Sequence, residues 1–220
     1  MIIDMHVHTQ ASGDSSATVE KYCRVIKRYR RHHPFHGMVI TEHCLYDQKA
    51  NYQKIGDKYD ILILQGIEAD TNLGHLLLYG ITEKFLKKVD VSQRNLDSHE
   101  LIKTINDCGG IAVPAHPFRS SIYGRALIES EFNLDEVSVI EELNGSNSRD
   151  ENEKATTLIE QTDLKGIGGS DAHYANRLWF LKSATEFDND IYNTGDLVKA
   201  LHCGYFRAIS LDNSTLGDSA

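Results

Sequence analysis

The sequence predicts an α/β domain built on a mostly parallel sheet, and three observations carry that expectation. Short apolar or β-branched runs alternate with longer amphipathic segments. Several of the runs are nearly continuous in Ile, Leu and Val, as in strands covered on both faces. No Pro/Gly/Ser-rich linker, internal repeat or low-complexity tract divides the 220 residues. The order βαβ(β)αβαβα is compatible with a barrel or an open sheet.

Taken in order, MIIDMHV (1–7) is the first strand. TVEKYCRVIKRYRRHH (18–33) follows the Ser-rich SSA as a helix and is stopped by Pro34. HGMVITE (36–42), DILILQGIE (60–68) and GHLLLYGI (74–81) are strands. LDSHELIKTINDCGG (96–110) carries Leu101, Ile102 and Ile105 at helical spacing and ends at Gly109 and Gly110. GGIAVPA (109–115) and VSVIEEL (137–143) are strands, and DENEKATTLIEQTDL (150–164) is a helix with a favourable acidic first turn. KGIGGS (165–170) is a strand, TGDLVKALHCGY (194–205) a helix closing at Gly204, and YFRAISL (205–211) a last strand. The expectation is one domain over 1–220, ordered over 1–210, with the tail 211–220 frayed.

A net charge of −9 argues against a nonspecific nucleic-acid or anionic-membrane binder, though not against a nucleotide in a locally positive pocket. Cys23, Cys44, Cys108 and Cys203 form no CxxC and are expected as reduced thiols. The N-terminus has neither a basic segment nor a long apolar one, and no run approaches the ~20 apolar residues of a membrane span. A cytoplasmic protein is expected.

Eleven histidines are the unusual feature, and their placement matters more than their number. Alternation along a strand puts His6 and His8 on one side and Val7 on the other. Glu42 and His43 end the second strand, Glu68 ends the third, and His75 opens the fourth. His116 follows the fifth, with Arg119 just beyond; Glu141 and Asn144 end the sixth; Asp171 and His173 follow the seventh. In parallel α/β folds the C-terminal strand edge is where sites form. A single strand-end histidine is ordinarily a hydrogen-bonded structural residue, and a strand-end carboxylate ordinarily caps a helix. Many such groups converging without cations would be costly to desolvate. Divalent metals remove that cost, and a set without thiolates suits a hydrolytic site better than a structural zinc.

The runs HVH, TEH, GIE, AHP and SDAH, in that order between residues 6 and 173, resemble the signature of the PHP family, named for polymerase and histidinol phosphatase domains. The resemblance implies a distorted (β/α)7 barrel holding up to three divalent ions (Zn, Mn or Fe). It implies one ion on His6, His8, Glu68 and Asp171, a second sharing Glu68 with His75 and His116, and a third on Asp14, His43 and His173. This chain departs in having TEH where the family has TDH, so that Glu42 acts either as a ligand of different reach or as a partner behind the ligands. It also has SGD where many relatives have SDG.

The implied activity is hydrolysis of a small phosphate ester, mono- or diester, by a metal-activated water, with Arg119, Asp171 and His173 as catalytic residues. Arg119 would offer a bidentate fork to phosphate or else pair with a carboxylate. Arg119, Asn144 and Arg125 are the expected substrate contacts, Asn144 alternatively a buttress of the site with Glu141 facing the same way, and 118–136 is a lid or pocket wall. The partner is thus a small-molecule phosphoester, not a membrane or bulk nucleic acid. RRHHPFH (30–36) reads first as a cationic helix end favoured by the macrodipole, with a phosphate or nucleotide patch as the alternative. Two alternatives stand beside this one: an amidohydrolase-like metal hydrolase, and a non-catalytic, metal-binding polymerase-accessory domain.

Overall fold

The computed structural model describes residues 1–31, 33–120, 132–176 and 180–211. In chain order the elements are β1 (Ile2–Val7), α1 (Val19–Tyr29), β2 (Gly37–His43), α2 (Gln53–Tyr59), β3 (Leu62–Thr71), β4 (Gly74–Tyr79), α3 (Glu83–Leu86), α4 (Ser98–Asp107), β5 (Ile111–Pro114), β6 (Val139–Asn144), α5 (Arg149–Glu160), β7 (Lys165–Gly169), β8 (Ser183–Phe187), α6 (Thr194–Cys203) and β9 (Phe206–Ser210). Seven strands form one mixed sheet in the order β5-β4-β3-β2-β1-β8-β9, and β6 and β7 form a separate parallel pair. The pair docks on β1 through a parallel bridge between Val7 and Ala172 and through Asp171 N–H donating to the His6 carbonyl at 2.7 Å. The result is a sheet curled into a partial barrel.

Among the described residues only β4 and β8 run against the other strands. The reversal of β4 corrects a simple strand–helix alternation, and its cause is local. Two residues, Asn72 and Leu73, separate β3 from β4, which is room for a hairpin but not for a crossover. The sequence pattern missed β8 because SATEF is half polar: Thr185 is buried as a donor to and acceptor from Gly168 (3.1 and 2.8 Å). It also missed the short helices α2 and α3.

Alternate strand residues fill the interior. Ile3, Met5, Val39, Leu64, Leu77, Tyr79, Ile111, Val113, Val139 and Ile167 form a buried apolar cluster, closed at the end opposite the site by Leu197, Val198 and Leu201 of α6 with Phe187 and Phe206. The outward parity of β1 and β2, including Val7, Met38 and Ile40, packs with Tyr22, Cys23 and Ile26 of α1. A register irregularity between Asp4 and Val7 changes which parity of β1 faces inward. Ile3 and Met5 point to the apolar interior below it; His6 and His8 join the polar rim above it.

β7 reaches this interior because it lacks side chains. A Cβ on Gly168 would lie 2.3 Å from the Ala184 carbonyl oxygen, and one on Gly169 would lie 2.5 Å from Cβ of His6. Only glycine allows that approach of backbone to β1 and β8. Asp4 fastens the same junction, its Oδ1 accepting from Ser170 N–H at 2.8 Å and His6 N–H at 3.1 Å. Burial pushes the Asp4 carboxyl up to about 7.

Candidate metal centre

The interior columns of the strands end at one rim in polar groups. Leu64 gives way two turns of the pleat later to Glu68 and Val39 to His43, and Val139 one turn later to Glu141. Because β4 is reversed, its first inward residue, His75, arrives at the same rim. His116 and Asp171 follow β5 and β7 directly and have left-handed backbone, φ 31° and 52°, as does Cys44 after β2, φ 50°. Non-glycine residues held there carry roughly 1–3 kcal/mol of strain each and cluster at functional sites.

Glu68 is the hub. Its Oε2 lies 3.3 Å from Nε2 of His6, 3.1 Å from Nε2 of His8 and 2.9 Å from Nδ1 of His43. Its Oε1 lies 2.9 Å from Nδ1 of His75 and 3.0 Å from Nε2 of His116. Asp171 Oδ1 lies 3.6 Å from Nε2 of His6 and 3.3 Å from Nε2 of His8, and those two ring nitrogens are 3.0 Å apart. Asp14 Oδ2 lies 3.2 Å from Nε2 of His43 and 3.3 Å from Nε2 of His173. All nine expected metal-type residues therefore meet at one rim: seven fall in the overlapping sets His6–His8–Glu68–Asp171, His43–Glu68–His75 and His8–His43–His173, with His116 against Glu68 and Asp14 against His43 and His173.

The donor set fits divalent cations on three counts. Four ligands at ~2.0–2.1 Å around a tetrahedral ion stand roughly 3.3 Å from one another. The five separations measured among His6, His8, Glu68 and Asp171 run from 3.0 to 3.6 Å. Secondly, Glu68 Oε2 is buried with no hydrogen-bond partner of its own, and such a group needs a counter-charge.

Thirdly, the ring tautomers are set from behind. His6 Nδ1–H donates to Glu141 Oε1 at 2.9 Å, His8 Nδ1–H to Ser12 Oγ at 3.2 Å, and His173 Nδ1–H to the Asp171 carbonyl at 3.1 Å. Each bond leaves a bare Nε2 lone pair facing the rim.

The electrostatics agree. Burial opposes charge on Glu68 and Asp171, yet the surrounding rings, with Arg119 beside Asp171, hold both well below the usual carboxylate range. Burial likewise opposes charge on His6, but Glu141, Asp171 and Glu68 together raise it well above the usual imidazole value. His43 is buried too, and Glu68 and Asp14 still push it up to about 9. His116 moves down, through burial and the nearby Arg119 charge. His173 also moves down, through burial and the neighbouring His8 ring, so His6 and His43 gain charge while His116 and His173 are held neutral.

Behind the ligands stands a second layer, in which Glu42 takes the second of its two expected roles. Glu141 is fully buried and binds His6 Nδ1, the His116 backbone N–H at 2.7 Å and Asn144 Nδ2 at 2.9 Å. Glu42 accepts from the Thr9 backbone N–H (3.1 Å), the Thr9 hydroxyl and the Ser12 hydroxyl, so it steers His8 through Ser12 instead of reaching the rim. Alternation could have separated Glu42 from His43; nothing in the sequence pointed to Ser12.

Arg119 takes the second of the two roles expected of it. One terminal nitrogen donates to Asp171 Oδ2 at 2.7 Å, the other to Asn144 Oδ1 at 2.8 Å, and Nε to Asn147 Oδ1 at 2.8 Å. It is paired with a carboxylate, and two of its five N–H groups are left over. Asn144 takes the buttressing one of its two expected roles. It is fully buried, donates to Glu141 and Asp171, and accepts from Arg119 and from Ser146 N–H at 2.8 Å. No valence remains for substrate, so it braces Asp171. Arg125, most of the 118–136 wall, His32 and the tail 212–220 lie outside the described residues.

Comparison with known proteins follows the same lines. A sequence family described as PHP-associated matches residues 149–205. No curated protein sequence matches the chain. Among solved structures, PsfC from Pseudomonas syringae PB-5123 superposes with a TM-score of 0.66 at 15% identity, over 95% of this chain and 91% of that one. The lesion-specific endonuclease PfuEndoQ from Pyrococcus furiosus gives 0.65 at 14% identity, over 94% of this chain but only 57% of the endonuclease. A proposed metal-dependent phosphoesterase from Bifidobacterium adolescentis gives 0.56 at 15% identity, over 92% and 96%. At such identities the likeness is one of fold.

Proposed function

On the premise of PHP-family kinship, we propose that the chain is a metal-dependent phosphoesterase working on a fold of incomplete (β/α)7-barrel type. The observation that carries the reading is the near-tetrahedral set His6–His8–Glu68–Asp171, fused through Glu68 and His8 to two further sets. His6, His8, Glu68 and Asp171 would hold one divalent ion; Glu68, His75 and His116 a second; and Asp14, His43 and His173 a third. Zinc, manganese and iron all suit these nitrogen and oxygen donors. When bound, the ions supply a water of lowered pKa and positive charge for the phosphoryl oxygens.

The chain's own residues do the rest. Glu141, Ser12 and the Asp171 carbonyl keep His6, His8 and His173 in the tautomer that presents Nε2. Arg119 locks Asp171 from the side, and its two spare N–H groups would be available to a phosphate oxygen. Asp14, His43 and His173 are the most exposed members of the cluster and mark its open side, by which substrate enters. Asp171 and His173 thus stand where ligand and substrate meet.

A phosphate ester is the preferred substrate class because its hydrolysis asks mainly for positioning and charge neutralisation, which this rim supplies. The test is a panel of phosphomonoesters and diesters beside amides and lactones, run on chelator-stripped and Mn- or Zn-reloaded protein. Hydrolysis of phosphoesters only after reloading is expected. Equal turnover by stripped protein would overturn the reading, turnover of amides or lactones alone would favour the amidohydrolase alternative, and bound metal with no turnover would favour the non-catalytic one.

A further inference from the structure

From the charge pattern of α1 we infer that the site acts on an oligonucleotide, whose phosphate backbone is tracked away from the metal rim by Lys21, Arg24, Arg28 and Arg31. The inference rests on the phosphoesterase reading for the chemistry and on its own observations for the track.

Residues 18–33 contain six Lys or Arg and one acid, Glu20, in a chain whose net charge is −9. The whole-chain average that argued against nucleic acid therefore conceals a local excess of positive charge. Lys21, Arg24, Lys27, Arg28 and Arg31 are all exposed, while Tyr22, Cys23, Ile26 and Tyr29 face the core. Glu20 is already shared by Lys58 (2.8 Å), the Tyr59 hydroxyl (2.7 Å) and Arg24 (3.3 Å), and Arg30 is taken by Asp60 (2.8 Å). Among the described residues no carboxylate lies within ion-pair reach of Lys21, Arg28 or Arg31.

Helix electrostatics do not account for the pattern. The macrodipole favours cations only in the last turn, and Lys21 and Arg24 sit in the first half of α1. Arg24 and Arg28 are a like-charge i,i+4 pair, which an isolated helix disfavours.

Position links the track to the rim. Lys21 Nζ donates to the Ser16 carbonyl at 3.4 Å, Ser16 N–H donates to the His173 carbonyl at 3.3 Å, and the Tyr22 hydroxyl binds the His8 carbonyl at 2.9 Å. The first turn of α1 is thus bonded to the two segments that carry His8 and His173. From there Lys21, Arg24 and Arg28 follow one face of α1 and Arg31 lies in the turn just past its end, a run of ten residues or about 15 Å at helical rise. That length is enough to meet more than one consecutive phosphate of a single strand. A strand whose scissile phosphate sits at the open side of the cluster would continue onto this face. An acidic protein or anionic lipid would meet the charge but has no reason to begin at a phosphoesterase rim.

The experiment measures binding of a 5′-fluorescent single-stranded DNA of about 12 nucleotides by anisotropy across a salt series. It uses metal-loaded full-length protein, wild type against Lys21→Gln/Arg28→Gln/Arg31→Gln and against Lys21→Glu/Arg28→Glu/Arg31→Glu. Circular dichroism serves as the fold control. The neutralised variant should bind about tenfold or more weakly and lose about 2 from the slope of log affinity against log salt, since each single-strand phosphate contact contributes about 0.7. The reversed variant should bind more weakly still.

Unchanged affinity and slope in the folded variants, or tighter binding to phosphatidylserine vesicles or polyglutamate than to the oligonucleotide, would overturn the inference. Wild-type hydrolysis of a small chromogenic phosphodiester is followed in parallel. Its failure with oligonucleotide binding intact would sink the phosphoesterase reading and leave the track standing.

Discussion

At the scale of single residues, the metal-type side chains were legible because apolar strands make polar ends conspicuous. His6, His8, His43, Glu68, His116, Asp171 and His173 could be placed at one edge from alternation and strand order, whereas His75 reaches it only because β4 is reversed. What stands behind them could not. Glu141 and Glu142 are adjacent in sequence, and only the fold decides that Glu141 faces His6 while Glu142 receives the Thr156 hydroxyl. Replacing Glu141 by Gln should weaken metal binding by about 10–100-fold, measurable by competition with a chromogenic chelator, while the melting temperature of metal-free protein changes little.

The ionisation of His43 gives a second prediction. Burial opposes its charge but Glu68 and Asp14 lift it to about 9, so the ring carries a proton at neutral pH when no cation is near. A metal takes only the neutral ring. Loading must therefore expel the proton, and apparent affinity should rise with pH up to about 9 and fall on the acid side. Calorimetric titrations in two buffers of different ionisation enthalpy would reveal the released proton, and identical heats in both would contradict it.

Among the elements, β7 shows what a pattern of apolar residues cannot convey. KGIGGS reads as a weak strand, yet its glycines are what let it lie against β1 and β8. Gly169→Ala would press a methyl group against His6, and an overpacked core position costs roughly 1–3 kcal/mol. A lower melting temperature together with weakened metal binding is expected, whereas a surface glycine such as Gly195 should tolerate the same change.

The start of α5 was legible only in part. Its acidic first turn was seen, but the capping box made by Ser148 and Glu151 begins earlier than the helix was drawn. Ser148→Ala should cost about 1 kcal/mol in denaturant unfolding with metal binding unaffected. The elements that escaped notice are those whose burial uses hydrogen bonds, like Thr185 in β8, or those too short to show a period, like α3.

For the molecule as a whole, the class of fold was legible and its closure was not. Strand directions follow from connection lengths, and the two-residue turn between β3 and β4 forces the reversal that brings His75 to the rim. Whether β6 and β7 join the main sheet depends on side-chain and backbone contacts such as Asp4 with Ser170, which no periodicity encodes. The same contacts hold the two halves of the cluster together, with His6 and Glu68 on one side and Glu141 and Asp171 on the other. Among the described residues no helix is long and apolar enough to cross a membrane.

Anomalous diffraction at the zinc absorption edge from crystals of zinc-loaded protein tests the central claim most directly. The account predicts a strong peak within about 2.0–2.2 Å of His6 Nε2, His8 Nε2 and an oxygen each of Glu68 and Asp171, with further peaks beside His75 and His116 and beside Asp14, His43 and His173. A rim without peaks, its imidazoles held only by their neighbouring carboxylates, would contradict it.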